Sequence, residues 1–232
     1  MILSYYNGDQ GGYSFSPWNV SDGHFTLACM YAGFVECIPD DGSYWYTQEQ
    51  KGHELSDAAK FFADQHATRL SCVQNQKHHL GKAGELGNMD ALLVLAESFG
   101  DPSIFKCRHL HHNYPASIAV VAEEMGRDAD AKYWFTVAAD QGDAYAMREL
   151  IDKDECSLFD SWKWIYLSKL VGEDLTLDKY YAVHEDGSDY DDGKGGALYA
   201  GGYGGVSINS LNAELDAAAK LAAQKLYKKN WL

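Results

Sequence analysis

Basic residues are scarce in this chain. Of its 232 residues only 19 are Lys or Arg, against 34 Asp or Glu, for a formal charge of −15. Binding nucleic acid by neutralising phosphates needs a basic face, so the deficit argues against such a partner. Long apolar runs are also missing. Stretches such as Ala91 to Ala96 fall far below the roughly 18 residues a spanning helix needs, and no membrane association is expected. The first residues, MILSYYNGDQGG, hold no Lys or Arg and too short an apolar stretch for a secretory signal. Cysteine is sparse: Cys29, Cys37, Cys72, Cys107 and Cys156 are odd in number, widely spread and contain no CxxC. These features together predict a cytosolic location with reduced thiols, each cysteine acting as a small buried apolar side chain.

Catalytic and cofactor signatures are lacking too. There is no GxSxG for a nucleophile elbow. Gly193-Lys194-Gly195-Gly196 misses the GxxxxGK[ST] spacing of a phosphate loop. Its acidic neighbours Glu173, Asp174, Asp178, Glu185, Asp186, Asp189, Asp191 and Asp192 would repel a polyphosphate. The same acids offer no DxDxDG register for calcium. They read as a solvated loop or as an electronegative patch for a basic partner, with a non-standard cation site as an alternative. His53-Glu54 begins HExxD and lacks the second histidine of a zinc protease. His109, His111 and His112 lie near Cys107, chemically able to hold a metal, but they run straight into the turn Asn113-Tyr114-Pro115. Surface or packing roles are the expectation. No catalytic residue, metal or cofactor is assigned.

What the chain does hold is aromatic. Sixteen Tyr, nine Phe and six Trp give it a core, because disordered chains are poor in such residues. It also holds internal repetition. Ala83, Gly87, Ala91 and Leu95 step by four, and so do Ala138, Gly142, Ala146 and Leu150. Four residues is close to one helical turn, so each set lines one stripe. In both, a Gly is followed by Asn88 or Asp143. Gly ending one helix and Asn or Asp capping the next is the chemistry of a tight helix–turn–helix. A further partial copy sets Trp164 and Gly172 thirty residues after Trp134 and Gly142. By helical spacing Tyr133, Trp134, Phe135, Trp162, Trp164, Tyr166, Tyr180 and Tyr181 are mostly expected in the core.

The run Val121-Ala122-Glu123-Glu124-Met125-Gly126, then Asp130, Lys132, Trp134, Ala138, Ala139, Gly142, Ala146 and Leu150, resembles the Sel-one-like repeat, a relative of the tetratricopeptide repeat. The resemblance is strongest over 117–177 and weaker over 55–99. It implies an all-α fold: a right-handed superhelix of irregular helix–turn–helix repeats, forming a single domain over 1–232. Within it, 1–54 is expected to be irregular with a first partial repeat. Residues 55–177 carry the repeats, 178–210 form a long acidic, Gly- and Tyr-rich insertion, and 211–232 form a capping helix. Residues 1–24 and 38–52 show no sustained helical period and are expected as loops or short extended segments.

Such repeats imply an adaptor or scaffold that grips another protein. Small acidic members resemble immunity proteins that neutralise a cognate secreted toxin, as in type VI secretion. A basic toxin would be drawn in by charge. A chaperone or adaptor for a secretion effector is the alternative within the binding class; a hydrolase or metal-dependent enzyme on a repeat scaffold is the alternative outside it. Long irregular insertions are commonly functional. The residues expected to touch the partner are therefore Asp186, Asp189, Tyr190, Asp191, Asp192, Tyr199 and Tyr203.

Overall fold

The structure, a computed structural model, describes residues 17–109, 112–191, 193 and 195–232, with side chains from Val20 onward. The described residues are mostly helical, with one two-stranded antiparallel sheet. They form two compact units that meet in sequence between His112 and Asn113. The first holds α1 (Pro17–Cys37), α2 (Ser43–Gln50), α3 (Asp57–Glu85), α4 (Met89–Phe99) and a short 3-10 turn (Pro102–Lys106). The second holds α5 (Pro115–Glu124), α6 (Asp128–Asp140), α7 (Ala144–Asp152), α8 (Leu158–Leu170), β1 (Lys179–Val183), β2 (Tyr199–Tyr203) and α9 (Ala213–Trp231).

In the first unit α3 is the spine against which α1, α2 and α4 pack. Ser56 caps it, accepting a hydrogen bond from the Ala59 N–H, with Asp57 in the first turn and Lys82 in the last. Both charges suit the helix dipole. α1 runs antiparallel to α3 and is fastened at both ends. Ser21 Oγ donates to the Ala83 carbonyl at 3.2 Å, and Arg69 donates to the carbonyls of Val35 and Ile38 at the other end. Residues 17–24 and 43–50 are thus helical, against the expectation of loops. Val20, Gly23, Thr26 and Gly33 are poor helix formers. α1 exists because Ser21 and Ala28, both buried, let its backbone lie close on α3. The expected loop over residues 1–16 lies outside the described residues.

The two Gly-centred turns are as the sequence predicts. The Asn88 N–H bonds the Ala83 carbonyl and the Asp143 N–H bonds the Ala138 carbonyl, each at 3.0 Å, the closing bond of a Schellman turn. The Asn88 and Asp143 side chains then each accept from the N–H three residues on, at 2.8 Å. At Gly142 a second reason for glycine appears. Its φ is +94°, and a Cβ there would sit 2.2 Å from the Trp231 ring of α9. The end of α6 is also where α8 and α9 fasten: Asp140 Oδ1 accepts from Trp164 Nε1 at 3.2 Å and from Lys163 at 3.3 Å, and the Asp140 carbonyl accepts from Asn230 at 2.7 Å. Trp134, Phe135 and Trp164 are buried as expected, whereas Tyr180 and Tyr181 are exposed. Those two lie on a strand, where successive side chains face opposite ways and the helical period does not apply.

Candidate functional site

The described part of the expected insertion carries a β-hairpin within its irregular segments. β1 pairs with β2 antiparallel, Lys179 opposite Tyr203 and Val183 opposite Tyr199. Tyr and Val favour β1. β2, Tyr-Ala-Gly-Gly-Tyr, gains order from its partner. A Cβ on Gly201 would lie 3.1 Å from the Tyr181 ring, so that ring covers bare backbone across the pair, a contact that supports glycines in strands.

The base of the hairpin is bonded to the helices of its own unit. The Val206 N–H donates to the Leu175 carbonyl at 2.8 Å, and both side chains are buried. Asp178 Oδ1 accepts from the Gly205 N–H at 2.7 Å. Asp174 accepts from the Thr176 hydroxyl and N–H at 2.6 and 2.9 Å, bonds that hold its carboxyl below the usual range. Lys179 is paired with Glu173. From α7, Arg148 Nη2 donates to the Gly204 carbonyl at 2.6 Å, its guanidinium stacks 4.0 Å from the centre of the Tyr203 ring, and its Nε pairs with Asp152 at 3.1 Å. A planar cation can serve a carbonyl, a carboxylate and an aromatic face at once, which Lys cannot. Arg148→Met should therefore loosen the hairpin while the helices stay intact. The expected result is faster hydrogen exchange at residues 179–183 and 199–203 by at least about tenfold, equivalent to about 1.4 kcal/mol of lost local stability.

At the tip the chain doubles back. The His184 N–H donates to the Ser188 carbonyl at 2.8 Å and the Tyr190 N–H to the Ala182 carbonyl at 3.2 Å. The His184 ring lies against Tyr190, centroids 4.9 Å apart, and its Nε2 accepts from the Asp191 N–H at 3.1 Å. Asp186 accepts from the Ser188 hydroxyl at 2.7 Å, which lowers its pKa. A cleft of about 420 Å³ opens between tip and β2, with His184, Asp186, Ser188 and Tyr199 among its walls.

Of the residues expected to touch a partner, Asp186, Asp189, Asp191, Tyr199 and Tyr203 are exposed on this one hairpin. Tyr190 is half-buried under His184, and Tyr203 gives one face to Arg148. Both hold the hairpin's shape as well as offering surface. Asp192 lies outside the described residues, as do Lys194 and His111. The partner-contact set expected from the sequence omits the most exposed aromatic and aliphatic groups of the hairpin, Tyr180 at 65% and Leu198 at 64%, and it omits Arg148. The adjacent pair Tyr180-Tyr181 carries a usable signal, since neighbours on a strand cannot both enter a core.

Elsewhere the candidate chemistry disperses. His112 is buried and bonded to the Cys107 carbonyl at 3.0 Å. Among the described residues, no set of three or more His, Cys, Asp or Glu is placed to hold a metal ion, and no helix is long and apolar enough to cross a membrane. Cys156, with burial pushing its thiol pKa up, is bonded to Ser161 at 3.0 Å; a raised pKa disfavours the thiolate a nucleophile needs. Comparison of the chain with protein-family models, curated proteins and solved structures finds no match.

Proposed function

We propose that this chain is a non-enzymatic protein-binding module built on a right-handed Sel-like helical superhelix, a cytosolic immunity protein that captures and neutralises a basic secreted toxin. The observation that carries the reading is the acidic, tyrosine-bearing hairpin, anchored through Arg148 yet leaving Tyr180, Tyr181, Leu198 and Tyr199 open to solvent. Tyrosine gives large contact area for little lost rotamer freedom, which is why it recurs at binding surfaces. The carboxylates of Asp186, Asp189 and Asp191 beside it supply long-range attraction for a cationic surface. Anchoring matters because a hairpin already in shape loses less entropy on docking.

Two sets of variants test this against the partner recovered from the native host. Asp186→Asn, Asp189→Asn and Asp191→Asn combined should slow association by about tenfold at low salt and flatten its salt dependence. Tyr180→Ala with Tyr199→Ala should speed dissociation by about tenfold or more, because truncated aromatic anchors act on the off-rate. Surface plasmon resonance reads both rates. Binding that is salt-insensitive and untouched by either set would place the contact elsewhere and favour the effector-adaptor alternative, in which an apolar peptide is held by the helices.

A further inference from the structure

A pair of histidines with no part in the hairpin lies between α1 and α3. His24 Nδ1 and His79 Nδ1 are 2.9 Å apart, a hydrogen-bond distance that two imidazoles reach only if one nitrogen carries a proton and the other does not. The rings are stacked, centroids 5.1 Å apart, and Tyr31 stacks on His79 at 5.7 Å and 9°. His79 is buried. The pair sits about one helical turn from the Ser21–Ala83 bond, on the side toward the Arg69 clamp on Val35 and Ile38.

We propose that His24 and His79 form a proton-operated latch, which holds α1 on α3 while at most one proton sits between the rings and releases it when both are protonated. One shared proton leaves a donor and an acceptor. A second leaves two facing N–H donors and two like charges at contact distance, with nothing between them to accept. Among the described residues, the groups acting on the pair offer no relief. The neighbours acting on the pair are His78 and Lys82, both on α3 and both cationic when charged. Glu85, the carboxylate on that stretch, is bonded to Lys82 at 2.8 Å, and Lys77 lies over Phe99 of α4. From α1 the facing groups are His24 itself and the Tyr31 phenol.

Burial pulls both rings below the ordinary histidine value. The charges of His78 and Lys82 add to this for His24, and those of His24 and His78 for His79. The unfolded chain takes up these protons near pH 6.5, whereas the folded pair resists them. The stability the pair confers is therefore complete above about pH 6.5 and is lost as pH falls toward the lowered folded values. Repulsion splits the pair's own protonation into two steps; opening frees both rings to take a proton, and that two-proton uptake makes release steeper than a one-proton linkage.

Hydrogen exchange of the whole chain, followed by mass spectrometry and corrected for intrinsic rates, reads the latch directly. Between about pH 7 and about pH 5, amides of residues 20–37 should lose at least about tenfold protection while those of α6 and α8 change by less than about twofold. In His24→Asn, which removes one of the two protons, the acid loss at 20–37 should shrink to about half or less on a logarithmic scale, the share left by buried His79. Because that variant could loosen α1 at every pH, nitrogen-15 spectra of the wild-type imidazoles serve as a second measurement. At neutral pH one ring should be Nδ1-protonated and the other Nε2-protonated. Independent titration of both rings near pH 6.5, or an acid response undiminished in a folded His24→Asn protein, overturns the latch.

Discussion

Replacing Trp134 by alanine should lower the stability of the protein by about 3–5 kcal/mol, the range for deleting a large buried aromatic. The indole is 1% exposed and sits in the middle of α6, flanked in sequence by the equally buried Phe135. α6 is the helix to which the rest of its unit is tied: α5 packs along it, and α8 and α9 fasten at Asp140. A void there cannot close by moving one helix, because each neighbour is also held by polar bonds. Partial relaxation is what makes such cavities expensive. Trp134→Phe, which keeps most of the ring volume, should cost about half as much or less. Urea unfolding followed by circular dichroism gives both numbers. A loss under about 1 kcal/mol for the alanine variant would mean that the site is less tightly packed than its burial indicates.

Gly202→Ala should remove the hairpin while leaving the helices alone. Gly202 has φ +99°, a conformation that costs a residue with a side chain about 1–3 kcal/mol. An added Cβ would also fall 1.9 Å from the Lys179 carbonyl oxygen across the pair, and a backbone atom cannot swing aside as a side chain can. β1 and β2 must separate to admit it. The expected result is an unchanged helical signal by circular dichroism together with loss of amide protection over 179–183 and 199–203. Partner binding should weaken by about 100-fold, equal to about 2.7 kcal/mol, if the hairpin is the docking surface. Gly172→Ala is the matching control: its φ is +95° but nothing lies within 4 Å of the added atom, so it carries strain without collision. Equal binding by Gly202→Ala and wild type would separate the hairpin from function.

Much of the helical part was legible in the sequence. The turns at Gly87-Asn88 and Gly142-Asp143 and the final helix, expected from residue 211 and found over Ala213–Trp231, follow from interactions within a few residues, and the helical spacing marked Trp134 and Trp164 for burial. Gly-ended helices and Asn or Asp caps are completed locally, so their signature survives without knowledge of the fold. The aspartates and tyrosines of the candidate site were likewise visible as a cluster. That they lie on a hairpin was not, because Lys179 and Tyr203 meet across 24 residues of chain and β2 holds two glycines that argue against a strand. Arg148 offered no signal at all. Its three partners, the Gly204 carbonyl, Tyr203 and Asp152, include two that are more than fifty residues away.

The same division applies to α1. Its glycines and β-branched residues give weak helical preference, and only docking on α3 makes the helix worth forming. His24 and His79 are 55 residues apart and read in sequence as two unremarkable histidines. Composition and short-range pattern by themselves determined the acidic character, the helical class and the places where helices turn, since charge is additive and caps are local. Only the tertiary structure decided which tyrosines face solvent, what holds the hairpin and which imidazoles share a proton. Each of those depends on atoms brought together from distant parts of the chain, and no spacing rule records that.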